Sequence, residues 1–313
     1  MDIRSLHPQL AQHYRSVRNQ DGVGWCHSFV ASELLTAAIH EPVSAVDLAS
    51  TYFKHAETQG FWSYIKAFVG MESKQERTER LELPKSAYIA DVLESARKHG
   101  VCPESALRSD LTWYSDRTDA LARAVKDLAV FKTSVENGRG YSQSCHLYEK
   151  STLHLMFPNL NSREAFEAVH RARAEEISSD LNELTSRACR GVRRKLPSSL
   201  KIVSKDNISE EGGGPVLVQE LDRALAGGLP AGVVVRSQVL DGNQEHAYPH
   251  AMTAVAREFR NGECKYFLRN SYGKGCGYYS GKAAADCDGA QGGFWISEDD
   301  LAYNFLTVTY VRK

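Results

Sequence analysis

The sequence has almost no net charge and no long apolar run. Its 313 residues include 38 Lys and Arg against 39 Asp and Glu, so the formal net charge is −1. Nucleic acid or an anionic membrane would be held by a field of one sign, so neither is expected as the main partner. No apolar stretch is long enough to span a bilayer. Internal repeats, low-complexity tracts and heptads are also absent, which leaves a globular protein of one large or two ordinary domains.

The segment from Met1 to Tyr14 lacks the apolar core of a signal peptide and carries His, Gln and Arg instead. A cytoplasmic location is therefore the default expectation. An exported protein whose leader has been removed would have the same sequence, so that alternative stays open. The seven cysteines do not decide between the two locations. Their odd number leaves at least one thiol unpaired, and the other six allow three disulfides or none.

Helical patterns dominate the first two thirds of the chain. A helix is predicted from Cys26 to about Ile39, with Pro42 just beyond its end. Apolar residues recur at helical spacing in four further segments, namely 44–53, 86–99, 118–137 and 162–190.

The pattern changes after a glycine-rich break at 209–215. Val216–Ala226 is predicted to form a short helix closed by Gly227 and Gly228. Runs of β-branched and aromatic residues then predict five strands, at 233–240, 251–259, 265–269, 294–296 and 306–311. A chain whose helices come first and whose strands come last is typical of an α+β fold.

Cys26 occupies a position that suits a nucleophile. It lies in the first turn of a predicted helix, after a loop that contains Gly22 and Gly24. Exposed N–H groups and the positive end of the helix dipole favour a thiolate there, and the thiolate is the reactive form of cysteine. The Cys26 N–H and the side-chain amide of Gln20 can hold a developing oxyanion. The alternative is a buried helical cysteine that packs as a small apolar residue.

A histidine and an asparagine mark two neighbouring C-terminal strands. His250 begins one strand, and Asn270 ends the next one after a short turn at 261–262. Adjacent antiparallel strands can bring the two side chains together. The Asn oxygen then accepts from one ring N–H, and the other ring nitrogen faces a thiol. His246 is a second candidate, but His250 fits the strand pattern. Taken alone, His250 also fits a half-buried structural histidine, and Asn270 a turn residue.

Together these three motifs resemble those of the papain-like cysteine peptidases. The chain contains Gln-x5-Cys-x2-Phe, then His-Ala-x3-Val, then Asn-Ser-aromatic-Gly, in that order. The resemblance covers about 1–110 and 215–313 and indicates a divergent, bacterial-type member of the papain family. It implies that Cys26 is the nucleophile, His250 its base, Asn270 the residue that orients the base, and Gln20 the side chain of the oxyanion hole.

The resemblance also implies a two-lobed architecture. A helical lobe would span 1–110 and a β-barrel-like lobe 213–313. In papain-like enzymes the His usually lies about 130–150 residues after the Cys, whereas here it lies 224 positions after Cys26. We therefore interpret 111–212 as a helical insertion. It is expected to cap a cleft, restrict substrate size, bind a protein partner or form a plain helical hairpin.

Several residues depart from the family pattern. His27 follows Cys26 where the family has Trp, and Trp25 precedes it. We do not count His27 as a member of the triad, because adjacent helical residues do not face each other. Tyr272 replaces the family's Trp after Asn-Ser. Tyr272 and Trp25 are therefore expected to support the site, with Tyr272 shielding the Asn–His pair.

Cys276 stands where the family often has a second Trp. With Cys287 it flanks a loop rich in Gly and Ala, and the two either form a disulfide or remain free thiols.

The resemblance implies a cysteine-type endopeptidase that hydrolyses a peptide or protein substrate through an acyl-enzyme, without a metal or cofactor. Two alternatives stay open. One is a catalytically inactive papain-like binding module that uses its helical insertion as an interaction surface. The other is a Cys-dependent amidase or acyltransferase with the same chemistry.

Overall fold

The computed structural model describes residues 2–6, 16–21, 23–55, 89–111, 114, 119–137, 141–172, 177–206, 213–241 and 248–313. Within these ranges, no helix combines the length and the apolarity needed to cross a bilayer.

The N-terminal part is helical. After a short helix α1 (Ile3–Leu6) come α2 (Cys26–Ile39), α3 (Ala45–His55) and α4 (Ile89–His99). The predicted helix from Cys26 to Ile39 is confirmed. The helix predicted over 86–99 is present from Ile89 onward, and 86–88 lie outside the described residues.

Helix α2 packs between the other helices and a β-sheet. Its buried side chains Val30 and Leu34 share one core cluster with Val92 of α4 and with Val234 and Ala251 of the sheet. A helix that carries its apolar side chains on more than one face must be covered on more than one side. Cys26, the first residue of α2, therefore lies where the helical part and the sheet meet.

Gly232 allows the sheet to approach α2 closely. A Cβ atom at this position would lie 2.8 Å from side-chain atoms of both Val30 and Ile89. Such a distance is too short for carbon atoms in contact, so a larger residue would push α2 and α4 away from the sheet. The absence of a side chain at Gly232 thus helps to set the position of the helix that begins at Cys26.

The predicted insertion contains five helices among its described residues. They are α5 (Ala120–Glu136), α6 (Tyr141–Lys150), α7 (Leu153–Met156), α8 (Ser162–Ala172) and α9 (Ile177–Ala188). Helix α5 was predicted over 118–137, of which 118 lies outside the described residues. The helix predicted over 162–190 is present as the two helices α8 and α9. Helices α6 and α7 were not predicted.

The described residues of the insertion share their core with the N-terminal helices. Leu121, Leu128 and Phe131 of α5 belong to the same buried cluster as Trp25 and Phe29 of the segment that carries Cys26. The insertion and the N-terminal helices therefore fold around one shared core.

One covalent link and one polar cluster attach the end of the insertion to the N-terminal part of the chain. A disulfide joins Cys102 to Cys189, which follows α9. The buried carboxylate of Asp47 in α3 accepts from the Arg193 guanidinium at 3.1 Å and from the Cys102 N–H at 2.8 Å. Because these contacts meet at one point, the chain leaving the insertion is fixed against α3.

The C-terminal part is built on a seven-stranded sheet. Its strands are β1 (Lys201–Asp206), β2 (Ala231–Arg236), β3 (Pro249–Arg260), β4 (Glu263–Arg269), β5 (Cys287–Asp288), β6 (Gly293–Ser297) and β7 (Phe305–Arg312). Their order is β1-β7-β2-β3-β4-β6-β5, and all neighbouring strands are antiparallel. The sheet is open, with β1 and β5 at its edges.

Four helices accompany the sheet, namely α10 (Gly214–Ala226), α11 (Gln238–Asp241), α12 (Gly281–Ala285) and α13 (Glu298–Asn304). The strand predicted over 233–240 ends at Arg236, because α11 begins two residues later. Of the glycine-rich break at 209–215, residues 209–212 lie outside the described residues.

Strand β1 corrects one predicted boundary. It falls inside 111–212, which was predicted to be a helical insertion, yet it pairs along its length with β7 at the other end of the chain. The helical part of the insertion thus ends before residue 201. The α+β class is confirmed, since the helices precede an antiparallel sheet with little alternation between them.

Candidate active site

Cys26 is positioned by the turn that starts α2. Gly24 has a φ of +72°, a conformation that favours glycine, and it turns the chain into the helix. The Trp25 carbonyl accepts from the N–H groups of Ser28 and Phe29 at 2.9 and 3.1 Å. Trp25 itself is buried in the core shared with the insertion. Cys26 is the first residue of α2 and is half-buried, so its thiol lies at a helix N-terminus.

His250 and Asn270 meet at one edge of the β3–β4 hairpin. His250 is the second residue of β3, and Asn270 directly follows β4. Nε2 of His250 lies 2.8 Å from Oδ1 of Asn270. The same oxygen accepts from the Ser271 N–H at 2.8 Å, which fixes the amide so that its oxygen faces the ring. The Asn270 side chain can therefore hold His250 with Nε2 protonated.

The thiol of Cys26 interacts with the ring of His250. Burial opposes the thiolate, but hydrogen bonding to His250 and to His27 and the charges of both rings lower the pKa of Cys26 well below its usual value. Burial likewise opposes the imidazolium, but hydrogen bonding to Cys26, the thiolate charge and the bond to Asn270 raise the pKa of His250. A lowered pKa of the thiol and a raised pKa of the imidazole favour a thiolate–imidazolium pair.

His27, which was not counted as a member of the triad, also influences the thiol. Its hydrogen bond contributes to the lowered pKa of Cys26. The ring is buried and lies against Tyr52 and Phe53, with centroid distances of 6.1 and 5.7 Å. His27 is therefore held in the core next to Cys26 by its aromatic neighbours.

Gln20 is held against the segment that follows Asn270. Its N–H donates to the Ser271 carbonyl at 2.8 Å, and the Gly273 N–H donates to the Arg18 carbonyl at 3.0 Å. The side-chain Oε1 of Gln20 accepts from the Ser271 hydroxyl. With Oε1 directed at Ser271, the Nε2 end of the amide is turned away from it. These bonds connect the loop before Cys26 to the loop after β4. Gln20 and Asn270 are therefore both held by hydrogen bonds to Ser271.

Tyr272 covers the other side of the His250 ring. The two rings are 4.8 Å apart, and the Tyr272 hydroxyl lies 3.3 Å from Nδ1 of His250. Since Nε2 is bound to Asn270, Nδ1 is the nitrogen left to exchange a proton with the thiol or a substrate. Tyr272 in turn lies 5.8 Å from the ring of the exposed Tyr278. The rings of Tyr272 and Tyr278 thus lie together on the side of His250 that carries Nδ1.

The loop that carries Tyr278 is closed by a disulfide between Cys276 and Cys287, the pairing considered from the sequence. The second disulfide, Cys102–Cys189, was not anticipated, because 87 positions separate its cysteines and no local pattern joins them. The three cysteines outside disulfides are Cys26, the buried Cys145 and the half-buried Cys264.

Sequence reasoning also missed a buried ionic cluster beneath the site. Arg18 lies 3.2 Å from Asp110 and 3.6 Å from Glu104, and Arg269 lies 3.2 Å from Glu33. Burial and the neighbouring Asp110 raise the pKa of Glu104 to about 7, although Arg18 opposes this shift. Arg18 and Arg269 stand directly before Asn19–Gln20 and before Asn270 in the chain. Charged residues next to motif residues were the only sequence signal for this cluster.

His246, the second histidine candidate, lies outside the described residues. In the part of the chain that the structure describes, no three His, Cys, Asp or Glu side chains are grouped as metal ligands. No protein-family model matches this chain, and no curated protein sequence is significantly similar to it.

Proposed function

We propose that this protein is a cysteine peptidase with a papain-like two-lobed arrangement, in which the N-terminal helices and the open sheet form the two lobes. The observation that carries the proposal is the contact chain from the Cys26 thiol to the His250 ring and on to the Asn270 amide. Three distant segments of sequence supply these groups. A thiol, an imidazole and a carboxamide in this order are the parts of an activated nucleophile.

In the first half of the reaction, the Cys26 thiolate attacks the carbonyl carbon of a peptide bond. The carbonyl oxygen becomes an oxyanion, which accepts hydrogen bonds from the Cys26 N–H and from the Gln20 side-chain amide. One such donor is typically worth about 3–4 kcal/mol of transition-state stabilisation. The oxyanion hole therefore accounts for a large share of the expected rate.

Collapse of the tetrahedral intermediate breaks the C–N bond. Nδ1 of His250 gives its proton to the leaving amine, and an acyl-enzyme remains on the sulfur. His250, now neutral, accepts a proton from a water molecule that attacks the thioester. The second collapse releases the acid, and the proton on His250 restores the thiolate–imidazolium pair.

The first test is cleavage of an unstructured peptide library by the wild type and by Cys26→Ala. We expect cleavage by the wild type and none by the variant, with an unchanged circular dichroism spectrum. Cys264→Ala is the matched control, because it removes another half-buried free thiol and should keep full activity. Equal cleavage by wild type and Cys26→Ala would refute the assignment.

Alkylation separates the catalytic proposal from an inactive binding module. At about pH 6 an ordinary thiol is protonated, so iodoacetamide should modify Cys26 much faster than Cys264. Equal and slow modification of both cysteines would favour the binding module. Addition of amine acceptors during turnover distinguishes hydrolysis from acyl transfer, because an acyltransferase would give amide products in place of the acid.

A further inference from the structure

The proposed reaction does not use the helical insertion, yet the insertion touches the loop that carries Gln20. The residue after Gln20 is Asp21, and its Oδ2 accepts from the Ala122 N–H at 3.0 Å. The Leu121 N–H also donates to this carboxylate. Both N–H groups belong to the first turn of α5, where helix N–H groups lack partners within the helix. Asp21 therefore caps α5 from a distant part of the chain.

The backbone of Asp21 is held in an uncommon conformation. Its φ is +51°, in the left-handed region that residues other than glycine seldom adopt. The Asp21 N–H donates to Oδ1 of Asn19 at 2.9 Å, and the Val23 N–H donates to the Gln20 carbonyl at 3.2 Å. These bonds form a tight turn around Gln20, and the turn directs the Asp21 side chain towards α5.

Apolar packing joins the same two segments. Val23 and Trp25, which follow the turn, share a buried cluster with Ala120, Leu121 and Ala122 of the first turn of α5. The start of α5 is thus attached to the loop before Cys26 by hydrogen bonds and by core contacts. Movement of α5 relative to this loop would break both.

We propose that Asp21, held by the first turn of α5, is a positioning residue for the oxyanion hole, and that this is a role of the insertion. The inference rests on the proposed peptidase function. Ser271 fixes the Gln20 amide from the side of the sheet. Asp21 fixes the backbone of the adjacent position from the side of the insertion, so the segment at Gln20 is held from two directions.

The competing interpretation is a cap that only stabilises α5. A structural cap would change the melting temperature and leave the rate of the folded enzyme unchanged. A positioning residue changes the chemical step. Iodoacetamide separates the two, because alkylation of a thiolate forms no oxyanion and does not need Gln20.

The experiment compares Asp21→Gly, Asp21→Asn and Gln20→Ala with the wild type. Glycine adopts a positive φ without strain, so Asp21→Gly removes the carboxylate and spares the backbone conformation. Asparagine keeps an oxygen that can accept from the α5 N–H groups. Asn161→Ala is the matched control, since Asn161 accepts from the Glu164 N–H at 2.9 Å and caps α8 elsewhere in the insertion.

Loss of an oxyanion-hole donor lowers kcat by roughly 100-fold to 1,000-fold, which we expect for Gln20→Ala. For Asp21→Gly we expect a loss in kcat of roughly 10-fold to 100-fold, because a shift of about 1 Å in a catalytic group has effects of this size. KM and the alkylation rate of Cys26 should stay near wild-type values. Asp21→Asn should recover most of the rate, and Asn161→Ala should keep all of it.

The double variant Asp21→Gly/Gln20→Ala should lose no more kcat than Gln20→Ala alone, because Asp21 is proposed to act through Gln20. Asp21→Ser, whose hydroxyl is too short to reach both N–H groups, replaces Asp21→Gly if that variant does not fold. Wild-type kcat in the folded Asp21→Gly or Asp21→Ser variant would overturn the inference and leave the peptidase proposal standing. Absence of turnover by the wild type, with Cys26 still alkylated, would instead overturn the proposed function.

Discussion

Arg269 and Glu33 form a buried ion pair across the two halves of the molecule, with 3.2 Å between Nη2 and Oε1. Glu33 lies on the helix that begins at Cys26, and Arg269 is the last residue of the strand before Asn270. The pair therefore connects the element that carries the candidate nucleophile to the element that carries the residue orienting its base.

Removal of one partner of this pair is expected to be strongly destabilising. Arg269→Met would leave the Glu33 carboxylate buried without its ion-pair partner, and removal of one partner of a buried pair typically costs about 3–5 kcal/mol. The measurement is the free energy of unfolding from urea titration. Arg97→Met is the control, because Arg97 pairs with Glu94 on the surface, where such a pair contributes about 0–1 kcal/mol. Similar losses in both variants would contradict a special role for the buried pair.

The rate of peptide cleavage should depend on pH as a bell-shaped curve. As the pH falls through the lowered pKa of Cys26, the thiolate is protonated and attack stops. As the pH rises through the raised pKa of His250, the imidazolium loses the proton that the leaving amine needs. Values of kcat/KM between about pH 3 and pH 10 would measure both limbs. A single rise in rate near the pKa of a free thiol would argue against the ion pair.

His27 is expected to extend activity to lower pH. Its hydrogen bond and charge help to lower the pKa of Cys26, so His27→Phe should raise that pKa. The phenyl ring fits the same aromatic surroundings of Tyr52 and Phe53. The alkylation rate of Cys26 should then fall at acidic pH and stay unchanged at alkaline pH, where the thiol is ionised in both proteins. His154→Phe, on α7, should leave the titration as it is.

The ionic cluster around Arg18 should make stability depend on pH. The pKa of Glu104 rises from 4.5 to about 7 on folding, so the unfolded chain loses this proton at a lower pH than the folded protein. The contribution of Glu104 to the free energy of unfolding is fully present below pH 4.5 and is lost as the pH rises to about 7. Unfolding free energies across this interval should show the decrease, and Glu104→Gln should remove it. An unchanged slope in that variant would assign the dependence to other groups.

The two disulfides should contribute unequally to stability. By the chain-entropy relation, a loop closed over 87 positions is worth about 4.5 kcal/mol and one closed over 11 positions about 3 kcal/mol. Urea titration of Cys102→Ala/Cys189→Ala and of Cys276→Ala/Cys287→Ala would measure this order. Loss of activity in the protein that is still folded is expected only from the second pair, since its loop carries Tyr278 beside the candidate site. Loss of activity from Cys102→Ala/Cys189→Ala alone would contradict this expectation.

The sequence was most informative where local pattern determines structure. The helix from Cys26 has apolar residues at helical spacing, and the β3–β4 hairpin has a short turn at 261–262 between two β-rich runs. Hairpin pairing is local, so the meeting of His250 and Asn270 could be predicted from the strands alone. The same holds for α10, which ends at Ala226 before two glycines.

The elements that were missed depend on distant partners or have a weak local pattern. Strand β1 is mostly exposed and polar, and its pairing is supplied by β7 at the end of the chain. Helix α6 buries only Ser144, Cys145 and Tyr148, which is a weak apolar pattern. Likewise, the contact of Asp21 with α5 spans 101 positions, so no window of sequence contains both partners.

The shared core of Trp25, Phe29 and the first insertion helix has a consequence for protein engineering. Excision of 111–200 would leave the underside of helix α2 facing water, with the rings of Trp25 and Phe29 uncovered. Such a truncated chain should aggregate unless those positions are redesigned as surface residues. The segment between the two motif-bearing parts of the chain is therefore inseparable from the residues around Cys26.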